Sequence, residues 1–283
     1  MIQIIECPRD AMQGRESFIP TAIKTAYLQK LLAVGFHTLD FGSFVSPRAI
    51  PQMQDTAAVL AGLDLTATRT RLLAIVANLR GAESAAAQAG IACLGFPLSL
   101  SETFQQRNTN RSVGAAWAEV SGIRDLCAQR GKDLVVYLSM GFGNPYGDPW
   151  DREIVLSFAE RLALLEVSVV SLADTIGLAQ PADIAALFEA LVPAFPQLTF
   201  GAHFHARPND WQPKVAAAYG GGCRRFDGAL LGFGGCPLAE DTLVGNVATE
   251  NLIAYFENID LTLDLNRPAL GAALEQARAV FFA

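Results

Sequence analysis

Three histidines occur in the chain, and two of them form the triplet His203-Phe204-His205. Side chains alternate along a strand, so the two imidazoles share one face and Phe204 takes the other. Counting back along the same run, Thr199, Gly201, His203 and His205 fall together, opposite Leu198, Phe200, Ala202 and Phe204. The second set is apolar and suits packing against helices. The first set is small and then imidazole, as the inside of a barrel opening onto a site requires. Two neutral imidazoles at a strand end can grip one cation. Taken alone, the triplet fits equally well with two histidines hydrogen-bonded at a polar rim. The balance tips at the first apolar run, which ends in Glu6-Cys7-Pro8-Arg9-Asp10. Glu6, Pro8 and Asp10 share parity there, and a carboxylate ending the first strand lies near the seventh once a ring of eight strands closes. Two nitrogens and a hard oxygen, with positions left for water or substrate, suit Mg²⁺ or Mn²⁺, with Zn²⁺ as the remaining alternative. Arg9 keeps its proton and is shaped to hold a developing enolate or carboxylate oxygen. A salt-bridged structural arginine is the competing reading.

A second chemical feature is the loop Gly232-Phe233-Gly234-Gly235-Cys236-Pro237, followed by Gly245-Asn246 and a helix opening with Val247–Glu250. Glycines around one cysteine make a mobile loop, and Cys236 there could act as general acid/base or nucleophile. On this feature alone, a small residue in a tight turn is the favoured reading. Asn246 could cap the helix or supply an oxygen to the metal. Asp40, Asn78 and Asp174-Thr175 fall at other strand ends, where caps and loop stabilisers are common. Ser43-Phe44-Val45-Ser46-Pro47 is placed to shape a substrate entrance.

These residues need a scaffold, and the pattern supplies one. Short apolar runs at Ile2–Cys7, Thr38–Phe41, Leu72–Ala77, Ile91–Leu94, Leu134–Ser139, Val167–Leu172, Thr199–Phe204 and Arg225–Leu230 read as strands. Between them, segments such as Thr21–Val34, Val113–Arg130, Arg152–Leu165, Pro181–Leu191 and Trp211–Tyr219 carry helical periodicity. Eight such units in 283 residues predict an α/β fold, a (β/α)₈ TIM barrel with its site at the C-terminal ends of the strands. An open doubly wound sheet would usually place a glycine-rich phosphate turn after the first strand, where this chain has Cys-Pro-Arg-Asp-Ala-Met-Gln-Gly. No linker or composition break divides residues 1–283, so one catalytic domain is expected, with Ala269–Ala283 as an extra closing helix. Hydrophobic residues make up 51% and charged ones 17%, enough for a large core. A net charge of −7 and scattered basic residues argue against nucleic acid as a partner. Five cysteines without regular spacing do not form a disulfide framework. With no leader-like or membrane-length apolar stretch, a cytoplasmic location is expected.

The chain resembles the 3-hydroxy-3-methylglutaryl-CoA (HMG-CoA) lyase family of the DRE-TIM metallolyases over nearly its whole length. The resemblance rests on Glu6 to Asp10 with Gln13, Gly42 to Pro47, Asn78 to Gly81, Ser101 to Phe104, Asp174 to Gly177, His203 to His205, Gly234 to Pro237 and Gly245 to Glu250. It implies a retro-Claisen cleavage of an acyl-CoA into acetyl-CoA and acetoacetate, assisted by Mg²⁺ or Mn²⁺, and a homodimer. By position, Asp10, His203, His205 and Asn246 would bind the metal and Arg9 would steady the enolate. Cys236 would take part in proton transfer from a lid, with His203 as a further acid/base. Asp40 stands where the family usually has a glutamate and is counted with the catalytic candidates. The chain departs from the family pattern at Ala11, at Glu16, at Ala206-Arg207-Pro208, and in a longer, acidic lid carrying Glu240 and Asp241. Those departures keep open a related lyase or Claisen-type condensing enzyme with another hydroxyacyl substrate, or a metal- or acyl-binding barrel without turnover.

Overall fold

The computed structural model describes residues 1–235 and 244–282. Among these residues, eight parallel strands close in sequence order into a barrel: β1 (Gln3–Glu6), β2 (Thr38–Ser43), β3 (Arg71–Ile75), β4 (Ile91–Ser99), β5 (Asp133–Ser139), β6 (Val169–Asp174), β7 (Thr199–Phe204) and β8 (Arg225–Gly228). Closure through the β1–β8 pairing, with Ile5 opposite Asp227, excludes the open doubly wound sheet. The strands are buried along nearly their whole length because helices cover one face and the barrel interior the other.

Helix ends follow local chemistry. The helix Thr21–Val34 stops at Gly35, whose φ of 83° is the left-handed conformation that closes a helix. The helix Val113–Arg130 begins where the Ser112 side chain accepts from the Ala115 amide. The C-terminal helix spans Arg267–Phe281 and starts two residues before its expected position, because Asn266 caps it through the Ala269 amide at 3.2 Å. It packs on Thr21–Val34, where the rings of Tyr27 and Phe281 meet edge-on at 6.0 Å. No helix of the described residues is long and apolar enough to cross a membrane.

Two boundaries differ from expectation in ways that matter for the site. β4 continues beyond Leu94 to Ser99, through Gly95 and Pro97, and stays in register with β5 along the way. The first strand ends at Glu6, and Pro8–Gln13 is a short helix with Pro8 in its first turn, where the missing N–H costs nothing. The expected shared parity of Glu6, Pro8 and Asp10 therefore fails. Asp10 is helical, and Cys7 is the residue whose sulfur approaches His203 and Asp227.

Glu6 is instead a buried staple. One carboxyl oxygen accepts from the Leu230 amide at 2.9 Å, and the other pairs with the Thr249 hydroxyl, tying β1 to the segment after β8 and to the helix Thr249–Asn258. Burial pushes its carboxyl from the usual 4.5 up to about 8, against the opposing pull of those two hydrogen bonds. The folded state thus holds a proton that the unfolded chain releases. Stability from this group is complete below pH 4.5 and is lost as pH rises through about 8, by up to ~1.4 kcal/mol per pH unit. Glu6→Gln keeps a donor and an acceptor in place and is expected to flatten that decline. Melting temperatures at pH 5 and pH 8.5 check it; an unchanged difference between the two would contradict a protonated Glu6.

Candidate active site

Arg9 and Asp10 sit on the short helix after β1, both buried, and Asp40 meets them from β2. β2 runs on to Ser43 through a register shift between Asp40 and Gly42, so Asp40 lies within the strand and not beyond its end. The Arg9 guanidinium donates to Asp40 through Nε (3.0 Å) and Nη2 (2.6 Å), and through Nη1 to Asp10 (3.1 Å) and Gln13 (2.8 Å). Gln13 returns a hydrogen bond to Asp10 at 2.8 Å. Burial works against the charge on Arg9, yet the two carboxylates hold its pKa well above the usual range. Burial raises Asp40 to about 6, against the pull of Arg9. Asp10 feels the same burial, but Arg9, His205 and His203 outweigh it and lower the group to about 2. Asp10 is therefore an anion at neutral pH.

At the end of β7 the two histidines are held differently. Nδ1 of His205 donates to the Thr175 carbonyl at 2.8 Å, which fixes the tautomer and leaves Nε2 with a free lone pair. That Nε2 is buried with no hydrogen-bond partner. Burial and the neighbouring His203 push His205 down to about 4, so it is neutral at neutral pH. His203 pairs through Nδ1 with Asp227 at 3.2 Å. Burial opposes its charged form, but the Asp227 hydrogen bond and charge prevail and raise its pKa. Ligand atoms of Asp10, His203 and His205 all lie within 4.8 Å of one another.

Asn246 reaches the same point from the far side of the loop. An isolated antiparallel bridge sets it beside His205, and its Nδ2 donates to Asp10 at 2.6 Å and to the Phe233 carbonyl at 2.9 Å. Its buried Oδ1 has no partner. The following helix starts at Thr249 with Ala248 as its N-cap, so Asn246 does not cap it. Gly234, at φ 114°, passes so close that an added Cβ would lie 2.3 Å from Asn246 Nδ2 and 2.8 Å from Asp10 Oδ2. The donor set fits a divalent cation: a carboxylate that stays ionised, two imidazoles fixed through Nδ1, and an amide oxygen, with buried His205 Nε2 and Asn246 Oδ1 lacking partners.

Arg9, Asp10, His203 and His205 line one wall of a cavity at the C-terminal end of the barrel. Val45 and Ile50 close it from the segment after β2, with Pro97, Phe104 and Tyr137 contributing apolar walls. Its volume of about 160 Å³ admits an acyl group and leaves the bulk of any coenzyme outside. Asn78 caps the helix Leu79–Ala86 through the Gly81 amide, and Asp174 holds Lys214 at 2.9 Å, so both are structural. Thr175 orients His205 through its carbonyl. Cys236, Glu240 and Asp241 lie outside the described residues; Cys7, Cys93, Cys127 and Cys223 are free and buried. The other departures from the family pattern do not line this cavity. Ala11 is in the core, Glu16 is exposed, and Ala206-Arg207-Pro208 line a separate cleft.

Sequence reasoning missed Asp227 and Tyr137. Asp227 alternates with Phe226 in β8, and a carboxylate inside a barrel strand was the available signal. Tyr137 packs edge-on to His203 at 5.6 Å, but an apolar run of β5 gives no hint of that contact.

Comparison with known proteins shows the family and the fold. The family described as HMGL-like matches residues 2–275. An (R)-citramalyl-CoA lyase of Chloroflexus aurantiacus is 33% identical over 275 residues, covering 94% of this chain and 86% of that protein. A hydroxymethylglutaryl-CoA lyase of Bacillus subtilis is 32% identical, covering 94% and 88%. The structure of an HMG-CoA lyase from Acinetobacter baumannii in complex with coenzyme A and 3-methylmalate superposes with a TM-score of 0.91 at 29% identity, covering 99% of this chain and 91% of that one.

Proposed function

Because the chain belongs to the HMGL-like family and is a lyase, we propose that it cleaves 3-hydroxy-3-methylglutaryl-CoA to acetyl-CoA and acetoacetate with a divalent cation at Asp10, His203, His205 and Asn246. The observation that carries this reading is the convergence of those side chains and Arg9 on an acyl-sized cavity, with His205 Nε2 and Asn246 Oδ1 unpartnered. When bound, Mg²⁺ or Mn²⁺ supplies Lewis-acid polarisation of the substrate oxygens and fixes their orientation.

In the cleavage, the C3 hydroxyl loses its proton and becomes the ketone of acetoacetate. The C2–C3 bond breaks, its electron pair stays on C2 as the thioester enolate, and C2 then takes a proton. Arg9, clamped by Asp40 and Gln13, faces the cavity as a fixed cation for the enolate oxygen. Asp227 holds Nδ1 of His203, so Nε2 is the nitrogen open to either the cation or the hydroxyl proton. Gly235 sets its amide 3.4 Å from Asp10, and Cys236 follows it directly in the chain, which supports Cys236 as the proton donor to C2.

The 33% identity to a citramalyl-CoA lyase favours a second reading. Citramalyl-CoA carries the same 3-hydroxy-3-methyl thioester with an acid arm one methylene shorter, and the same bond cleavage gives pyruvate. Product analysis on both thioesters decides. Acetoacetate formed with the higher kcat/KM supports the HMG-CoA reading; pyruvate formed faster replaces it.

The close pass of Gly234 makes a separate prediction. Gly234→Ala must displace Asn246 from Asp10, and is expected to weaken Mn²⁺ binding by roughly 10- to 100-fold with the barrel intact. Titration calorimetry with Mn²⁺ checks it; wild-type affinity in this variant would remove Asn246 from the proposed ligands.

A further inference from the structure

At the opposite end of the barrel, Arg225 opens β8 and is 2% exposed. Its Nε and Nη2 have no hydrogen-bond partner, and no ion pair reaches it among the described residues. An arginine cannot shed its proton to escape burial, so an unpaired guanidinium there calls for a counter-charge. Its space is prepared. Gly201, its register partner on β7, leaves the backbone bare where a Cβ would press within 3.2 Å of the Arg225 side chain.

Arg225 lines a cavity of about 160 Å³ at the N-terminal mouth of the barrel, among residues that begin their strands. Arg71 brings a second guanidinium, and Thr38, Ser168 and Thr199 line the same space, the Thr38 hydroxyl being paired with His37 Nδ1 at 2.9 Å. The one carboxylate there, Asp133, is already paired with Arg71 at 2.6 Å. Asp227, two residues along β8, pairs through Oδ2 with His203; among the described residues its buried Oδ1 has no hydrogen-bond partner, and no ion pair joins it to Arg225. The field in the cavity is positive. His37 registers it, pushed down to about 4 by burial and then by Arg225 and Arg71. Thr199 is exposed, and Arg71 and Asp133 are each 39% exposed, so the cavity is reached from solvent.

The geometry points to a binding site for a small oxyanion of the phosphate type at this mouth, held by Arg225 and separate from the catalytic end. A guanidinium offers paired donors that match two oxygens of such an ion, and hydroxyls suit the remaining oxygens. The ion stabilises the closed barrel by neutralising Arg225.

Thermal unfolding in inorganic phosphate, against sodium chloride at matched ionic strength, tests the site. The wild-type protein is expected to gain several degrees in phosphate over chloride, saturating with concentration. Arg225→Met is expected to lose that gain. Thr199→Glu, a change at the exposed mouth that spares the core, brings a tethered carboxylate and is expected to melt higher in chloride and to respond less to phosphate. Absence of any phosphate-specific gain in the wild type overturns the proposal. So does an equal gain in Arg225→Met or Thr199→Glu, because the ion would then be acting elsewhere, including at the catalytic end.

Discussion

Asp10→Ala is expected to lose the divalent cation and to lower turnover by on the order of 10³-fold or more, a barrier change of several kcal/mol. The size of the effect follows from what the carboxylate does. It is the one anion among the proposed ligands, and with a pKa near 2 it stays charged throughout the working range. It also receives Arg9 Nη1, Gln13 Nε2 and Asn246 Nδ2, at 3.1, 2.8 and 2.6 Å, so its removal costs three hydrogen bonds. Gln13 Nε2 is left without its acceptor, while Arg9 Nη1 and Asn246 Nδ2 keep Gln13 and the Phe233 carbonyl. Asp10→Asn separates charge from shape. It keeps the outline, and an acceptor oxygen for Arg9, yet is expected to bind Mn²⁺ far more weakly. Calorimetry with Mn²⁺ and acetyl-CoA release measured side by side check this. Full turnover in Asp10→Asn would remove the carboxylate from the mechanism.

Arg9→Met is the complementary case: cation binding is kept and catalysis is lost, by roughly 10³-fold, the scale on which fixed donors at a developing oxyanion act. Stability falls as well. Asp40 is 1% exposed and has Arg9 as its cationic partner, so removing Arg9 leaves a buried carboxylate uncompensated at a cost of about 3–5 kcal/mol. Because burial already holds Asp40 near 6, it takes up a proton readily once Arg9 is gone, and the stability loss is greatest at alkaline pH. Adding Asp40→Asn to Arg9→Met is expected to recover the stability and none of the turnover. Recovery of turnover in the double variant would make Arg9 a structural partner of Asp40 alone.

Much of this arrangement was legible from residue order. β7 occupies Thr199–Phe204 as the alternation demanded, and parity along it put both imidazoles on one face. Asp10 arrives at the same place by another route. A strand extension was expected, but Pro8 starts a helix, and it is the helical turn that carries Arg9 back to Asp40 and Asp10 towards His205. β4 runs past the Leu94 that ends the apolar run, because register with β5 carries the strand through Gly95 and Pro97 to Ser99. The two roles open to Asn246 are separated only by where its helix begins, three residues later at Thr249. Asp227 and Thr175 act through long-range contacts to the histidines, 24 and 30 residues away in the chain, and no local pattern encodes those.

The most direct measurement is acetyl-CoA release from HMG-CoA by the purified protein, with and without added Mg²⁺ or Mn²⁺. The account predicts release that depends on the cation and yields acetoacetate in equal amount. Protein that binds Mn²⁺ yet leaves both HMG-CoA and citramalyl-CoA intact would contradict it.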